Sequence, residues 1–290
     1  SMRNKGIELM LGATPVKVGG FNWDLNVTFT KNDNNVEELT PGVDNIRLAG
    51  FTAPGIYIVK NQPYGVIWGT RYLRDAQNRI IVDSDPNSPA YGTPEADLST
   101  LGIIGVTQPK WLAGLRNTFS YSSNSLGTFA LSAVIDKREG GDVLNFDHFC
   151  LNFYGVTKQT GIRDGSDVFV VPNSVKADGT ANDIEVTRDQ FYWQNIWGQQ
   201  IYEDLIEDGS FLRLREVTLR YAFPKNLTKS WKSVQDLSVF VTGRNLYLNA
   251  PNFTGSDPEV SLYGNANGQG FYNFNTPATI GWNVGLNATF

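Results

Sequence analysis

The side chains with the clearest chemical potential in this 290-residue sequence are aromatic, and they concentrate in two irregular stretches. They are Tyr192, Trp193 and Trp197 in the first stretch and Tyr263, Phe271, Tyr272 and Phe274 in the second. Aromatic faces stack on sugar rings and also pack against peptide side chains. These residues are therefore candidates for substrate contact. The alternative is that they only pin long loops against the rest of the protein.

The sequence offers no set of residues for catalysis, for a metal or for a cofactor. The single cysteine, Cys150, excludes an intramolecular disulfide and every cysteine-based zinc pattern. The single histidine, His148, leaves no histidine cluster and reads as an ordinary loop residue. The aspartate-rich residues 83–85 and 163–167 lack the alternating oxygen ligands and the closing glutamate of a calcium loop. We therefore expect a protein that is not an enzyme and that carries no cofactor.

Composition narrows the class of protein further. The 29 glycines and 12% aromatic residues are typical of a β-rich chain. The net charge of −5 argues against a nucleic-acid partner, for which a basic surface is expected. No run of 18 apolar residues exists, so no transmembrane helix is predicted. The chain opens without an apolar leader, and its first strand begins almost at once, so we expect it to be part of a longer protein.

The elements that must position the aromatic residues are long strands, and the final stretch is the clearest of them. From Ile280 to Phe290 every even-numbered residue is apolar, and every odd-numbered residue is glycine, asparagine or threonine. Because side chains alternate across a strand, one face is apolar and the other polar. Such faces fit a transmembrane barrel and also a soluble sandwich. A strand that ends on an aromatic residue favours the barrel, since termini in water are usually frayed and polar.

Six earlier stretches alternate in the same way, and the connections between the seven strands follow a rule. The strands lie near residues 6–11, 21–30, 111–121, 129–135, 211–223 and 237–244. Residues 31–107, 139–209 and 249–277 form long connections, and residues 14–20, 122–125 and 224–235 form shorter ones. Outer-membrane barrels alternate short periplasmic turns with long extracellular loops, and a sandwich has no reason to do so. The sequence therefore predicts an all-β antiparallel barrel, with the three long connections on the extracellular side.

The predicted lipid face contains the apolar residue of each alternating pair. Its members are Ile7, Leu9, Leu11, Phe21, Trp23, Leu25, Val27, Phe29, Leu115, Phe119, Phe129, Leu131, Ile135, Val217, Leu219, Val239, Val241, Trp282, Val284 and Leu286. Seven strands are an odd number, and bacterial barrels have even strand numbers. Residues 1–290 are therefore expected to be the C-terminal third of a larger barrel.

Several motifs resemble the SusC/RagA family of TonB-dependent outer-membrane transporters. The most specific are residues 210–224 (SFLRLREVTLRYAFP), 241–247 (VTGRNLY) and 254–260 (TGSDPEV), followed by the aromatic C-terminus. Earlier matches are residues 3–9 (RNKGIEL), 23–26 (WDLN), 35–39 (NVEEL) and 109–115 (PKWLAGL). By its chemistry alone, the stretch 254–259 reads as a turn. The resemblance covers nearly the whole chain.

The resemblance implies a fold and a function for the longer protein. Family members have an N-terminal extension, a plug domain and a barrel of about 22 strands. They import oligosaccharides or peptides across the bacterial outer membrane of Bacteroidota, with a SusD-like surface lipoprotein as lid. The plug and the segment that engages TonB have no counterpart in this chain. The resemblance also implies that the last strand, with Trp282, Val284, Leu286 and Phe290, is an assembly signal for outer-membrane insertion.

Two other functions remain open from the residues. One is a secreted β-sandwich that binds glycans, and the other is an outer-membrane adhesin or enzyme barrel. A plug-like domain upstream in the full gene would separate the importer from the sandwich. An adhesin would lack the signature found in the last eighty or so residues.

Overall fold

The computed structural model describes residues 1–228, 234–264 and 266–290 and, within them, every side chain except that of Thr100. Strands dominate this part of the chain, and the helices are short. None of these helices is long and apolar enough to cross a membrane.

Strands and helices are numbered in chain order. The strands are β1 (Met2–Val18), β2 (Phe21–Val36), β3 (Asn45–Gly50), β4 (Gly55–Val59), β5 (Val66–Tyr72), β6 (Ile80–Val82), β7 (Ala96–Val106), β8 (Trp111–Ser123), β9 (Gly127–Glu139), β10 (Asp142–Asn145), β11 (Val168–Val170), β12 (Ser174–Lys176), β13 (Glu185–Thr187), β14 (Ile206–Asp208), β15 (Phe211–Ala222), β16 (Asp236–Asn249), β17 (Phe271–Tyr272) and β18 (Gly281–Thr289). The helices are α1 (Phe146–Phe153), α2 (Arg188–Trp193) and α3 (Lys225–Thr228), together with a π-helical turn (Gln194–Gly198) and a 3₁₀ turn (Glu203–Leu205).

Seven long strands form one antiparallel sheet, which we call the wall. Its order is β1-β2-β8-β9-β15-β16-β18, so each strand lies beside the next long strand of the sequence. This arrangement confirms the seven strands predicted from the alternating residues. It also shows that the wall uses no crossover connection, because antiparallel neighbours can be joined directly at their ends.

The first connection is shorter than the sequence indicates. Residues 14–20 were predicted to be a loop, but β1 continues to Val18, and only Gly19 and Gly20 form the turn, both with positive φ. The register shifts between Ala13 and Val16, where Pro15 cannot donate a ladder hydrogen bond. An irregularity in an edge strand absorbs such a residue without ending the strand. The prediction was wrong there because it treated the proline as a strand terminator.

One face of the wall is apolar across all seven strands. Residues directly opposite each other in a sheet lie on the same face, so the register shows the composition of each row. One row reads Val16, Trp23, Phe119, Leu131, Leu219, Val241 and Val284. The rings of Trp23 and Phe119 stack with centroids 5.8 Å apart. Asn117 interrupts this face, and its Oδ1 accepts a hydrogen bond from Nε1 of Trp23 at 3.2 Å.

The opposite face is polar in the same continuous way. The neighbouring row reads Asp24, Thr118, Ser132, Thr218, Thr242 and Asn283. The hydroxyl groups of Thr218 and Thr242 lie 2.8 Å apart and share a hydrogen bond. The predicted separation of an apolar face from a polar one is therefore confirmed by the strand register.

The three long connections between wall strands pack together at the same end of the wall strands, and we call their assembly the loop layer. Its main core contains Ile56 and Ile67 from the first connection, Leu144 and Leu205 from the second, and Phe271 from the third. Strand pairs also join different connections, because β12 pairs with β6 and β10 with β17, both in parallel. The prediction that all three long connections lie on the same side is confirmed.

Candidate functional site in the loop layer

Helix α1 begins the candidate site and is defined by a cap and an aromatic stripe. Asn145 caps its start, since Oδ1 of Asn145 accepts a hydrogen bond from the backbone N–H of His148 at 3.3 Å. Phe146, Phe149 and Phe153 recur at intervals of three and four residues, which places their rings on one helical face. The Phe146 and Phe149 rings stack at 4.7 Å, and Phe146 also contacts Phe271 in the core at 5.7 Å. The stripe thus runs from the core to the end of the helix.

Helix α2 brings two tryptophans to the same place. Thr187 caps it by accepting a hydrogen bond from the backbone N–H of Gln190 at 3.4 Å. The helix continues into the π-helical turn, so Trp193 lies at the end of α2 and Trp197 within the turn that follows. The Phe153 ring stacks on Trp193 at 4.8 Å and packs against Trp197 at 5.5 Å. The two helices therefore meet through their aromatic residues.

Phe153, Tyr154, Trp193 and Trp197 form an exposed group that we call the aromatic cluster. Tyr154 contacts Phe153 edge to face at 5.0 Å. The exposed fractions are 68% for Tyr154, 46% for Trp193 and 60% for Trp197, so ring surface is available to a solute. Large exposed aromatic groups are typical of binding surfaces.

A cleft of about 320 Å³ adjoins the aromatic cluster. Phe153, Tyr154 and Trp193 line one part of it, and Arg163, Asp189 and Gln190 supply polar groups. The Arg163 guanidinium donates to the carbonyl oxygen of Tyr154 at 2.9 Å and also to that of Gly155, which fixes the end of α1. Apolar surface with a few placed polar groups is the usual composition of a ligand site. The arrangement can stack a planar or ring-shaped group and bind its polar edge.

Of the first predicted aromatic group, Trp193 and Trp197 lie in the aromatic cluster and Tyr192 does not. Tyr192 is buried and donates a hydrogen bond to Oε1 of Gln159. Burial and, to a smaller extent, the charge of Asp204 raise the pKa of Tyr192 to about 12. Its hydroxyl is protonated at neutral pH and acts as a hydrogen-bond donor in the interior of the loop layer.

The second predicted aromatic group is divided between the interior and the surface. Phe271 and Tyr272 are buried in β17, and the Tyr272 hydroxyl shares a hydrogen bond with the hydroxyl of Ser256 at 2.7 Å. Tyr263 is partly exposed, and its hydroxyl accepts a hydrogen bond from the backbone N–H of Gly50 at 2.9 Å. Phe274 is exposed. Phe271 connects to the aromatic cluster only through the rings of Phe146 and Phe149 among the described ring contacts.

Two members of the aromatic cluster, Phe153 and Tyr154, were not predicted as site residues. Both residues fall in the connection predicted for residues 139–209, in which no helix was predicted. The signal that could have identified them is the spacing of Phe146, Phe149 and Phe153, which indicates one face of a helix. The contact with Trp193 and Trp197 could not be read from spacing, because it joins residues about forty positions apart.

A polar network lies in the interior of the loop layer, around the start of α1. Glu207 accepts hydrogen bonds from the Thr254 backbone N–H at 2.8 Å and from Nδ2 of Asn145 at 3.0 Å. Burial works to raise the pKa of Glu207, but contacts from His148, Thr254 and Asn145 outweigh it, so the pKa lies below its usual value. His148 is nearly buried, with Nδ1 3.6 Å from Oε1 of Glu207, and is not the ordinary loop residue that was predicted.

A second carboxyl group of this network has the opposite tendency. The Tyr72 hydroxyl donates to Oδ1 of Asp204 at 3.0 Å. Burial raises the pKa of Asp204, and it also raises the pKa of Tyr72, with a further contribution from Asp204. Within residues 1–228, 234–264 and 266–290, no group of three or more His, Cys, Asp or Glu side chains is placed to hold a metal ion. The hydrogen bond between Tyr72 and Asp204 joins the first long connection to the second.

Comparison with known proteins shows that the chain is similar to TonB-dependent receptors. No protein-family model matches it. Two proteins of Formosa agariphila match its full length, TonB-dependent receptor P26 at 26% identity over 310 residues and TonB-dependent receptor P39 at 22% over 341 residues. These matches cover 29% and 30% of the two receptors, so the chain spans just under a third of the length of the curated relatives it matches.

Solved structures show the same relation at the level of the fold. The RagAB peptide importer in its closed-closed state matches the whole chain with a TM-score of 0.64 and 18% identity, over 30% of that chain. Its open-open state gives a TM-score of 0.66 and 17% identity, over 29% of that chain. The resemblance to SusC/RagA-type TonB-dependent transporters is thereby confirmed. The fold is that of part of an antiparallel transmembrane β-barrel, and the wall is its barrel portion.

Proposed function

We propose that this chain is part of a TonB-dependent importer of the bacterial outer membrane, and that its aromatic cluster contacts the imported solute. The observation that carries the proposal is the full-length similarity to TonB-dependent receptors combined with a loop layer that exposes stacked aromatic rings. Oligosaccharides and peptides are the two solute classes that the family resemblance implies, and ring surfaces suit both.

The larger assembly also belongs to the proposal. Residues 1–290 are proposed to be the C-terminal segment of the barrel, with the plug and N-terminal extension elsewhere in the longer protein. TonB would act through that other part. A SusD-like surface lipoprotein would cover the loop layer, and the apolar face of the wall would contact outer-membrane lipid. No catalytic role is assigned to any residue.

One feature of the wall speaks against the secreted β-sandwich. A sandwich buries the apolar face of each sheet against a second sheet about 10 Å away. In the described part of the chain the apolar face carries no second sheet, and Trp282, Val284 and Leu286 are exposed. An uncovered apolar surface of this extent is expected where the surrounding solvent is lipid.

Growth and binding measurements on the full-length protein test the proposal. A strain that lacks the gene is grown on a panel of glycans and peptides, and the lost nutrient identifies the solute class. The strain is then complemented with a Trp193→Ala/Trp197→Ala variant. Loss of two ring contacts should weaken solute binding about tenfold or more. The matched control is Trp193→Phe/Trp197→Phe, which keeps a ring at each position and should keep most of the affinity.

Two results would contradict the proposal at different levels. Unchanged growth of the deletion strain on every nutrient of the panel would argue against import. A deletion phenotype that the alanine variant rescues with full affinity would keep import and would remove the aromatic cluster from the solute site.

A further inference from the structure

Residues 253–260, which we call the strap, lie over the polar face of the wall. Nη2 of Arg213, on β15, contacts Oδ1 of Asp257 at 2.5 Å, and each side chain is only 3% exposed. Arg215 binds both carboxylate oxygens of Glu259, at 2.9 and 3.0 Å, and its Nε contacts Asp136 of β9 at 2.7 Å. Two carboxylates of the strap therefore form ion pairs with two arginines of the wall.

Strand geometry explains why the arginines stand two residues apart. Arg213 pairs with Asp136, which lies on the polar face opposite Gly114. The register of β15 shifts between Leu214 and Glu216, so Arg215 is an extra residue there. Such an irregularity lets Arg213, Arg215 and Glu216 all reach the polar face. The strap itself turns at Asp257, whose Oδ1 accepts a hydrogen bond from the backbone N–H of Glu259 at 3.0 Å. The turn predicted for residues 254–259 is thus present and presents its carboxylates to the wall.

The other end of the strap reaches the start of α1. The Thr254 hydroxyl donates to Oε1 of Glu207 at 2.5 Å, and Nδ2 of Asn145 donates to the Thr254 hydroxyl at 3.1 Å. Asn145 is the capping residue of α1, the helix whose far end carries Phe153 and Tyr154. The strap therefore joins β15 to the first turn of the helix that bears half of the aromatic cluster.

We propose that the strap positions the aromatic cluster relative to the barrel wall, with Arg213 and Asp257 as its positioning residues. The apolar core around Phe146 and Phe271 holds α1 in the loop layer, but apolar contact is not directional. Buried, charged hydrogen bonds fix distance and orientation together. That the position of the aromatic cluster matters for solute binding rests on the proposed function. That the strap sets this position does not.

The test uses the full-length protein with Cys150 replaced by serine. One pair of spin labels is placed at Val156, just after α1, and at Asn124, at the opposite end of the wall. In Asp257→Asn the distance distribution between these labels should broaden. Backbone amides of α1 should also exchange hydrogen on the order of 100-fold faster, since removing one partner of a buried ion pair is strongly destabilising.

Two controls separate positioning from general damage. Asp183→Asn removes an exposed carboxylate of the loop layer that pairs with Lys176 at 2.7 Å, and it should change neither measurement. A second label pair at Leu131 and Val284, both in the wall, should keep its distribution in every variant. An unchanged Val156–Asn124 distribution in Asp257→Asn would overturn the proposal, and so would equal broadening in Asp183→Asn.

Discussion

Asp204 carries its carboxyl group into the interior of the loop layer, and its Oδ2 has no hydrogen-bond partner in the described structure. Burial raises the pKa of Asp204 above that of the unfolded chain. The folded state then binds the extra proton between the two pKa values, so stability falls as pH rises through that window. Asp204→Asn should remove this dependence. Hydrogen exchange of the loop layer from pH 4 upward measures it, with Asp44→Asn on the exposed surface as the control.

Glu207 should show the opposite dependence. Its folded pKa is lowered, because its hydrogen-bond contacts outweigh the effect of burial. Its contribution is therefore fully present above the unfolded pKa, about 4.3, and is lost as pH falls through the folded value. Glu207→Gln should flatten the acid limb of the exchange profile when the profile is extended below about pH 4. A profile that keeps its acid limb in this variant would assign the limb to another carboxyl group.

Val27 lies on the apolar face between Leu11 and Leu115. Val27→Arg should destabilise the folded barrel by about 2–4 kcal/mol, the cost of a cation on a lipid-facing strand. Ser120→Arg, on the polar face, is the matched control and should cost much less. Denaturant titration of the refolded protein measures both. A spin label at Val27 that meets a water-soluble quencher but not oxygen would show that the two faces are inverted.

The wall strands were predictable from the sequence because alternation is a local signal. Alternation places Asn117 on the apolar face between Leu115 and Phe119, but the hydrogen bond from Trp23 that satisfies its side chain joins two strands and cannot be read from spacing. The extent of β1 was missed for a related reason, because the register shift at Pro15 depends on pairing with β2.

The helices and small sheets of the loop layer were not predictable in the same way. α1 and α2 are short, and most of their stability comes from packing on other connections. β17 is a two-residue strand that pairs with β10, so nothing in its own sequence indicates it. Phe271 and Tyr272 were therefore predicted to contact substrate. Only the packing of the loop layer shows that their rings are buried.

The final strand leads to a prediction about assembly. β18 pairs with β16, and the Gln235 side chain donates to the backbone oxygen of Phe290 at 3.2 Å. We propose that Phe290, which continues the apolar alternation of β18, is needed for insertion together with Trp282, Val284 and Leu286. Deletion of Phe290 in the full-length protein should lower the amount of folded barrel in outer-membrane fractions. Phe290→Tyr keeps a ring and should be tolerated, and normal levels after the deletion would count against this role.

The loop layer should face the cell exterior. With Cys150 replaced by serine, a cysteine at Asn87 should react with an impermeant maleimide on intact cells that lack the lid lipoprotein. A cysteine at Asn124, in the turn between β8 and β9, should not react. If the cysteine at Asn124 reacts and the one at Asn87 does not, the orientation is the reverse of the predicted one. The proposed contact between the loop layer and the lid lipoprotein would then be wrong as well. Two further labelling positions are Lys229 in the connection 224–235 and Asn265 in the connection 249–277. Both lie outside the described residues.

The shared core of the loop layer constrains the order in which the protein can form. β6 pairs with β12 and β10 with β17, so each pairing waits for a distant part of the chain. The wall pairings across the long connections span similar stretches, since Phe21 of β2 pairs with Tyr121 of β8, so both kinds of pairing require the closure of a long loop. The layer can therefore consolidate only after residues 249–277, which supply Phe271 to its core, are in place. The same dependence means that the three connections cannot change shape independently, because a shortened segment in one leaves apolar surface of the other two uncovered.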